Sequence, residues 1–314
     1  MKTPLLNVGK LPPALVARLA QAYALSTLAD EKDPAQFLLE HGASFTALTT
    51  SAAVGANQAL MDQLPHLQVI SNFGVGLDKV DVAHAQTRGI AVGYTPDVLN
   101  DCVADIAFGL LIDVARGMSA ADRFVRAGQW TQGVFPLARR VSGAKLGLVG
   151  MGRIGRTIAK RSSGFDMQVR YHTRTPVADV PWSYEPSLLE LAAWADFLVV
   201  ITAGGAGTRH LINAEVLKAL GPEGFLINVA RGSVVDEAAL LLALQTKTIA
   251  GAALDVFENE PKVPAAFMAQ DNAVLLPHIA SATRETRQAM ADRVFDNLQA
   301  FFNQGILLSA ASAP

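Results

Sequence analysis

Three short apolar runs each end in residues able to move a proton or grip an acid. The run Phe225-Leu226-Ile227-Asn228-Val229-Ala230 is followed by Arg231 and Gly232. Ala252-Ala253-Leu254 is followed by Asp255, then by Glu258 and Glu260 before Pro261. Val274-Leu275-Leu276 is followed by Pro277 and His278. Ligands of open α/β sheets gather at the carboxyl ends of the strands, so these groups are expected on one rim. Arginine holds a carboxylate with paired N–H groups and polarises a carbonyl. Histidine gives or takes a proton near neutral pH. A carboxylate beside it orients the ring and favours its charged form. The set suits proton and hydride transfer to a keto acid. Asp255, Glu258 and Glu260 also read as a solvated loop. Arg231 alone reads equally as a helix cap. Of six histidines, His41, His66, His84 and His210 fall in helices or connections. Only the convergence of strand ends singles out His278.

A glycine-rich turn supplies a second chemistry. Gly150-Met151-Gly152-Arg153-Ile154-Gly155 follows the apolar run Leu146-Gly147-Leu148-Val149 and opens a helix-compatible segment, residues 156–163. Strand, tight glycine turn and helix form the dinucleotide-binding fingerprint in its required context. The first glycine permits the turn, the second lets backbone approach a pyrophosphate, and the third lets helix pack on strand. The helix N-terminus offers free N–H groups to the phosphates.

The next strand, residues 167–171, indicates which dinucleotide. An Asp or Glu at its end holds the ribose hydroxyls in NAD-binding units. Here it runs into His172-Thr173-Arg174-Thr175, without an acid, and Asp166 lies at the wrong end. An arginine with hydroxyl neighbours suits a 2′-phosphate, so NADP is the expected cofactor. His172 belongs to this adenosine side.

Around these sites lie 314 residues, enough for two domains. Half the chain is apolar (51%) and 17% is charged, so large cores can be buried. A net charge of −2 without a basic face argues against nucleic acid or a membrane surface as partner. The single Cys102 excludes an internal disulfide framework and a cysteine-rich metal site; it reads as a small core residue of a helix, and no metal site is expected. The first residues show no long apolar leader, and no apolar run approaches a membrane span. A cytoplasmic location is expected.

Short β-like runs alternate with helix-like segments, which predicts α/β layers with parallel strands. Strands are expected over 45–49, 67–71, 90–92, 197–201, 225–229, 249–254 and 274–276. Helices are expected over 13–23, 58–63, 82–88, 185–194, 237–245 and 284–303. A long apolar helix over 101–116, with Asn100 as N-cap, is expected to be buried in a domain or subunit interface. Residues 117–141 hold Trp130 and Gly/Pro breaks. The expected architecture is α/β: two Rossmann-like or flavodoxin-like domains with parallel sheets and a cleft between them. Residues 1–97, completed by the C-terminal helix within 285–314, form a substrate domain. Residues 98–284 form the dinucleotide-binding domain.

Five segments together resemble the D-isomer-specific 2-hydroxyacid dehydrogenases over nearly the whole chain. They are Asn72-Phe73-Gly74-Val75-Gly76-Leu77-Asp78, the glycine turn, Asn228-Val229-Ala230-Arg231-Gly232, Leu254-Asp255-Val256-Phe257-Glu258-Asn259-Glu260-Pro261 and Pro277-His278-Ile279-Ala280-Ser281. Within the family the chain is similar to NADPH-dependent glyoxylate/hydroxypyruvate reductases and hydroxyphenylpyruvate reductases. The resemblance implies that Arg231 binds the substrate carboxylate and keto oxygen. It makes His278 the general acid, with Glu260, directly before proline, as its partner. Val75 and Gly76 would offer backbone N–H groups to the carboxylate. Ala230, Asp255 and Ser281 would meet the cofactor, Asp255 at the nicotinamide carboxamide. Gly150, Gly152, Arg153, Ile154 and Gly155 would face the pyrophosphate, and Thr173, Arg174 and Thr175 the 2′-phosphate. A two-fold homodimer through 101–116 and the Trp130 segment is also implied. Where many relatives carry a proline-containing loop, this chain has Thr202-Ala203-Gly204-Gly205-Ala206-Gly207.

The expected activity is therefore NADPH-dependent reduction of glyoxylate and hydroxypyruvate to D-2-hydroxy acids. The alternatives are an aryl-pyruvate (hydroxyphenylpyruvate) or 2-ketogluconate reductase with a wider pocket, and a nucleotide-sensing regulator on the same fold. Residues 51–55, expected beside the substrate, contain no Lys or Arg, which argues against a phosphorylated substrate.

Overall fold

Parallel strands alternate with helices through residues 2–311, the part of the chain that the computed structural model describes. The chain divides into two units. The first comprises residues up to Leu99 together with those from Thr283 onward. Its strands are β1 (Pro4–Asn7), β2 (Ala24–Thr27), β3 (Ala47–Ser51), β4 (Val69–Phe73) and β5 (Ala91–Gly93). All pair in parallel, in the order β2-β1-β3-β4-β5. Every residue of β3 and β4 is buried, as a parallel sheet covered on both faces requires. The Arg284–Gln304 helix packs on β4 and is tied to it by the Ser71 hydroxyl, which donates to the Val294 carbonyl at 3.1 Å.

The second unit runs from Asn100 to Ala282. Its strands are β6 (Lys145–Val149), β7 (Gln168–His172), β8 (Ser183–Tyr184), β9 (Phe197–Val200), β10 (Phe225–Asn228), β11 (Gly251–Leu254) and β12 (Ala273–Leu275). They form one parallel sheet in the order β12-β11-β10-β9-β6-β7-β8. The chain leaves β6 toward one edge and returns to β9 on its other side. That places the topological switch point, where such sheets bind ligands, between β6 and β9. β9, β10 and β11 are buried throughout, and Leu198, Val200, Leu226 and Leu254 centre a core with Leu217 and Leu240.

These two parallel α/β sheets are the expected fold class. The differences are local. The glycine-turn helix starts earlier, at Arg153–Arg161, because the chain turns helical directly after Gly152. Asn100 is the first helical residue of Asn100–Arg116 and does not stand outside it as a cap. The helix expected from 185 starts at Leu188, where the Ser187 hydroxyl accepts the Glu190 N–H. Glu185 instead donates its N–H to the Tyr171 carbonyl as β8 ends. Cys102 is helical but only half-buried. The Asn100–Arg116 helix buries Val103, Ala104, Phe108, Leu110 and Leu111 within its own unit, against β10, β11 and the Arg153–Arg161 helix. Exposed apolar surface lies further on, at Met118, Val125, Trp130, Val134 and Leu137. Among the described residues no helix is long and apolar enough to cross a membrane, and no cluster of His, Cys, Asp or Glu could hold a metal ion.

Candidate active site

Three loops at the carboxyl ends of β10, β11 and β12 meet. Asn228, the last residue of β10, is buried and shapes the first: its Nδ2 donates to the Arg231 carbonyl and its Oδ1 accepts the Ala230 N–H, each at 3.0 Å. Arg231, at the turn, donates from Nη1 to the Ala230 carbonyl at 2.8 Å. A Cβ at Gly232 would overlap the backbone of Phe257 and Glu258. Only glycine lets the Arg231 turn lie against the loop after β11.

That second loop presents Glu260. Oε1 accepts the Phe257 N–H at 3.0 Å, and Oε2 lies 2.8 Å from His278 Nδ1. A carboxylate only accepts, so Nδ1 carries the shared proton and Nε2 is the nitrogen left for chemistry. Burial works to raise the Glu260 pKa. The hydrogen bonds from His278 and Phe257 and the charges of His278 and Arg231 outweigh it, holding the carboxyl below its ordinary range.

His278 itself stands at φ 54°, a conformation few residues with a side chain adopt. Asp255, fully buried, enforces it from three sides. Its carbonyl accepts the His278 N–H at 2.8 Å, and its carboxylate accepts those of Ile279 at 2.7 Å and Ala280 at 2.9 Å. Burial pushes the Asp255 pKa up, and the two N–H bonds oppose that. Strain held this firmly is a mark of functional sites. Glu258 points to another partner: its carboxylate bonds His210 Nε2.

The glycine turn sits at the switch point. Gly150, at φ 113°, lies against the strand-end backbone after β9; a Cβ there would be 2.9 Å from the Ile201 carbonyl carbon and the Thr202 nitrogen. A Cβ at Gly155 would overlap the Gly150 carbonyl, while one at Gly152 would meet nothing within 4 Å. The first and third glycines are thus needed by the fold, and the second leaves open space at the start of the Arg153–Arg161 helix. That space fits a pyrophosphate. Beyond β7, Arg174 is exposed, and among the described residues it has no ion-pair partner. The Thr173 hydroxyl donates to the Thr175 carbonyl at 2.7 Å, closing the turn that carries it. In the 202–207 loop, the Thr208 hydroxyl holds the Ala203 carbonyl at 2.7 Å.

In the first unit, the loop after β4 carries Val75 and Gly76. Buried Asn72 donates from Nδ2 to the carbonyls of both Gly74 and Gly76, at 3.1 Å each. The Gly74 N–H is taken by the Thr95 hydroxyl at 3.2 Å. With those carbonyls drawn inward, the Val75 and Gly76 N–H groups make no hydrogen bond among the described residues.

Residues 108–280 match the family model described as D-isomer specific 2-hydroxyacid dehydrogenase, NAD binding domain. The chain belongs to this family of D-isomer-specific 2-hydroxyacid dehydrogenases. It is 46% identical over 273 residues to glyoxylate/hydroxypyruvate reductase A of Arabidopsis thaliana, covering 87% of each chain. It is 42% identical over 308 residues to the 2-ketogluconate reductase of Gluconobacter oxydans, covering 98% of each. Among solved structures, it matches the NADPH-dependent glyoxylate/hydroxypyruvate reductase of Sinorhizobium meliloti, in complex with NADP and malonate. The TM-score is 0.91 at 44% identity, covering 99% of this chain and 97% of that one.

This dehydrogenase therefore has an oxidoreductase's dinucleotide domain beside a braced histidine–glutamate pair. The structure brings Arg231, Glu260 and His278 together through three strand ends of one sheet. It adds roles that the sequence did not assign: Asn228 and Asp255 brace the loops, and Asn72 stands behind the Val75–Gly76 loop. Glu237 and His210 join them behind Glu258. Asn228 carried one sequence signal, a polar residue closing an otherwise apolar strand.

Proposed function

We propose that this dehydrogenase reduces small 2-keto acids, glyoxylate and hydroxypyruvate foremost, to D-2-hydroxy acids with NADPH. The observation that carries the reading is the His278–Glu260 pair at 2.8 Å, held by Asp255 beside Arg231. When bound, the reduced nicotinamide supplies the hydride that adds to the keto carbon. His278 gives the Nε2 proton to the keto oxygen. The second proton stays on Nδ1, held there by the Glu260 carboxylate, so the imidazolium gives up one proton per turnover. Arg231 grips the substrate carboxylate and stabilises the negative charge developing on the oxygen. The N–H groups of Val75 and Gly76 are assigned to the same carboxylate. Ala230, Asp255 and Ser281 are assigned to the nicotinamide end. The Gly150–Gly155 turn with Arg153 and Ile154 is assigned to the pyrophosphate.

The NADP assignment rests on Thr173, Arg174 and Thr175. They follow β7 with no carboxylate among them, and the Arg174 guanidinium is exposed. In this reading the first unit is the substrate domain and the second the dinucleotide domain. The exposed Met118, Val125, Trp130, Val134 and Leu137 support a homodimer through that segment.

A second reading, 2-ketogluconate reduction, is favoured by the near-complete match to the Gluconobacter oxydans enzyme. Initial rates with glyoxylate, hydroxypyruvate, pyruvate, phenylpyruvate and 2-ketogluconate, each with NADPH and NADH, separate the two. The highest kcat/KM is expected for glyoxylate or hydroxypyruvate with NADPH. A tenfold preference for 2-ketogluconate would select the second reading, and no turnover of any 2-keto acid would overturn both.

A further inference from the structure

A second imidazole–carboxylate pair stands behind the first. His210 Nε2 bonds Glu258, a glutamate two residues before Glu260. The His210 N–H donates to the Ser233 carbonyl at 2.8 Å, in the turn just after Arg231. One residue thus touches both loops, the one carrying Arg231 and the one carrying Glu260. Its backbone is held at φ 49°, an unfavourable conformation that its surroundings enforce.

The Glu260 loop needs such an anchor. Among the described residues, Glu260 has hydrogen bonds with the Phe257 N–H, from within its own loop, and with His278, the group that it serves. The tie to the rest of the unit runs through Glu258. Its N–H donates to Glu237 Oε1 at 2.7 Å, and its side chain reaches His210. Gly232 packs on the same stretch of backbone. The charged groups around this anchor are Glu237, Asp255, Glu258 and Glu260 against Arg209, Arg231 and His278. Arg209 Nη2 lies 3.9 Å from Glu258 Oε1. Burial pushes the Glu237 pKa up, and the charges of Glu258 and Glu260 add to that. The anchor is therefore crowded with carboxylates, and His210 supplies one of them, Glu258, with a hydrogen-bond partner.

We propose that His210 is a positioning residue which, through Glu258, holds the Glu260 loop aligned with the Arg231 turn and so keeps Glu260 on His278 Nδ1. The inference rests on the assignment of His278 and Glu260 as the proton-donating pair. It concerns a residue that touches neither the substrate nor the reacting atoms.

The test compares the unmutated enzyme with His210→Ala, His210→Gln, Glu260→Gln and the double variant His210→Ala/Glu260→Gln. Two quantities are read across pH: kcat for 2-keto acid reduction, and the His278 ring titration followed by NMR in the enzyme without cofactor. His210→Ala is expected to move the alkaline fall-off of reduction and the ring titration to lower pH. The shift should be roughly half a unit and no larger than that of Glu260→Gln, with only a modest loss of kcat in acid and the substrate KM changed less than about twofold. His210→Gln, whose amide N–H still reaches Glu258, is expected to restore most of the profile. The double variant is expected to match Glu260→Gln alone, because two changes acting through one group do not add. If His210→Ala does not unfold cooperatively, His210→Asn, with its shorter amide, replaces it and the same outcomes decide. A profile moved by Glu260→Gln but not by His210→Ala overturns this inference alone, as do additive shifts in the double variant. A profile moved by neither overturns the proposed proton donor, and this inference with it.

Discussion

Glu260 Oε2 lies 2.8 Å from His278 Nδ1, and its other oxygen accepts the Phe257 N–H at 3.0 Å. The carboxylate is thereby fixed at both oxygens, and the imidazole is fixed in one tautomer. Removing the charge without the shape tests what the pair contributes. In Glu260→Gln the ring loses the partner that favours its protonated form. Reduction should then fall off at lower pH, with only a modest loss of kcat in acid. The pH profile of kcat for hydroxypyruvate reduction checks this, and an unmoved alkaline limb would contradict it.

The same pair makes a stability prediction whose sign follows from Glu260. Its carboxyl is held below its ordinary range in the folded state. A depressed carboxyl stabilises the fold above its unfolded-state pKa, and that contribution is lost as pH falls through the folded value. Glu237 runs the other way, because burial raises its pKa first and the neighbouring glutamates add to it. Its destabilising charge is present only as pH rises through that value. Glu237→Gln should keep the acceptor for the Glu258 N–H. It should raise Tm near pH 8, by at most about 3 °C, and leave it unchanged near pH 4. Thermal unfolding at the two pH values decides, and an equal change at both would refute the assignment.

The glycine turn separates needs of the fold from needs of the ligand. A Cβ at Gly152 meets nothing within 4 Å, whereas one at Gly155 would overlap the Gly150 carbonyl. Gly152→Ala should therefore fold with an unchanged Tm yet raise the KM for NADPH at least about tenfold, because the methyl occupies space assigned to the pyrophosphate. Gly155→Ala should lower Tm outright. A Gly152→Ala enzyme with normal KM would remove the pyrophosphate from this turn.

Cofactor choice turns on one exposed side chain. With Arg174 beyond β7 and no carboxylate beside it, NADPH should exceed NADH in kcat/KM by at least about tenfold, or roughly 1.4 kcal/mol. Arg174→Ala should reduce that ratio chiefly through the KM for NADPH. Equal efficiency of the unmutated enzyme with both cofactors would contradict the assignment.

How much of this was legible depended on whether a feature was local. β6, β10, β11 and β12 are apolar runs followed within a few residues by Gly150, Arg231, Asp255 and His278, so the chemistry at their ends is legible in the sequence. β1, β2 and β8 are not legible, because they span four, four and two residues and carry Pro4, Ser26, Thr27 or Ser183. The helices Pro34–His41, Met118–Arg126, Ala214–Leu220 and Ala265–Met268 leave no clear pattern either, since each is short and sits among Gly or Pro breaks. The choice between Glu258 and Glu260 needed a resemblance to make it and coordinates to explain it: one faces His210 and the other His278. His210 bonds a residue 48 positions away, and no local pattern announces such a pairing. The reach of Asp255 to Ile279 and Ala280 is a tertiary feature for the same reason.

The central claim is that His278 supplies the proton during 2-keto acid reduction. The most direct measurement is kcat of His278→Ala with hydroxypyruvate and NADPH, after its fold and its NADPH binding have been verified by thermal unfolding and fluorescence titration. A loss of about a hundredfold or more is expected, with cofactor binding retained. Near-normal kcat in that variant would contradict it.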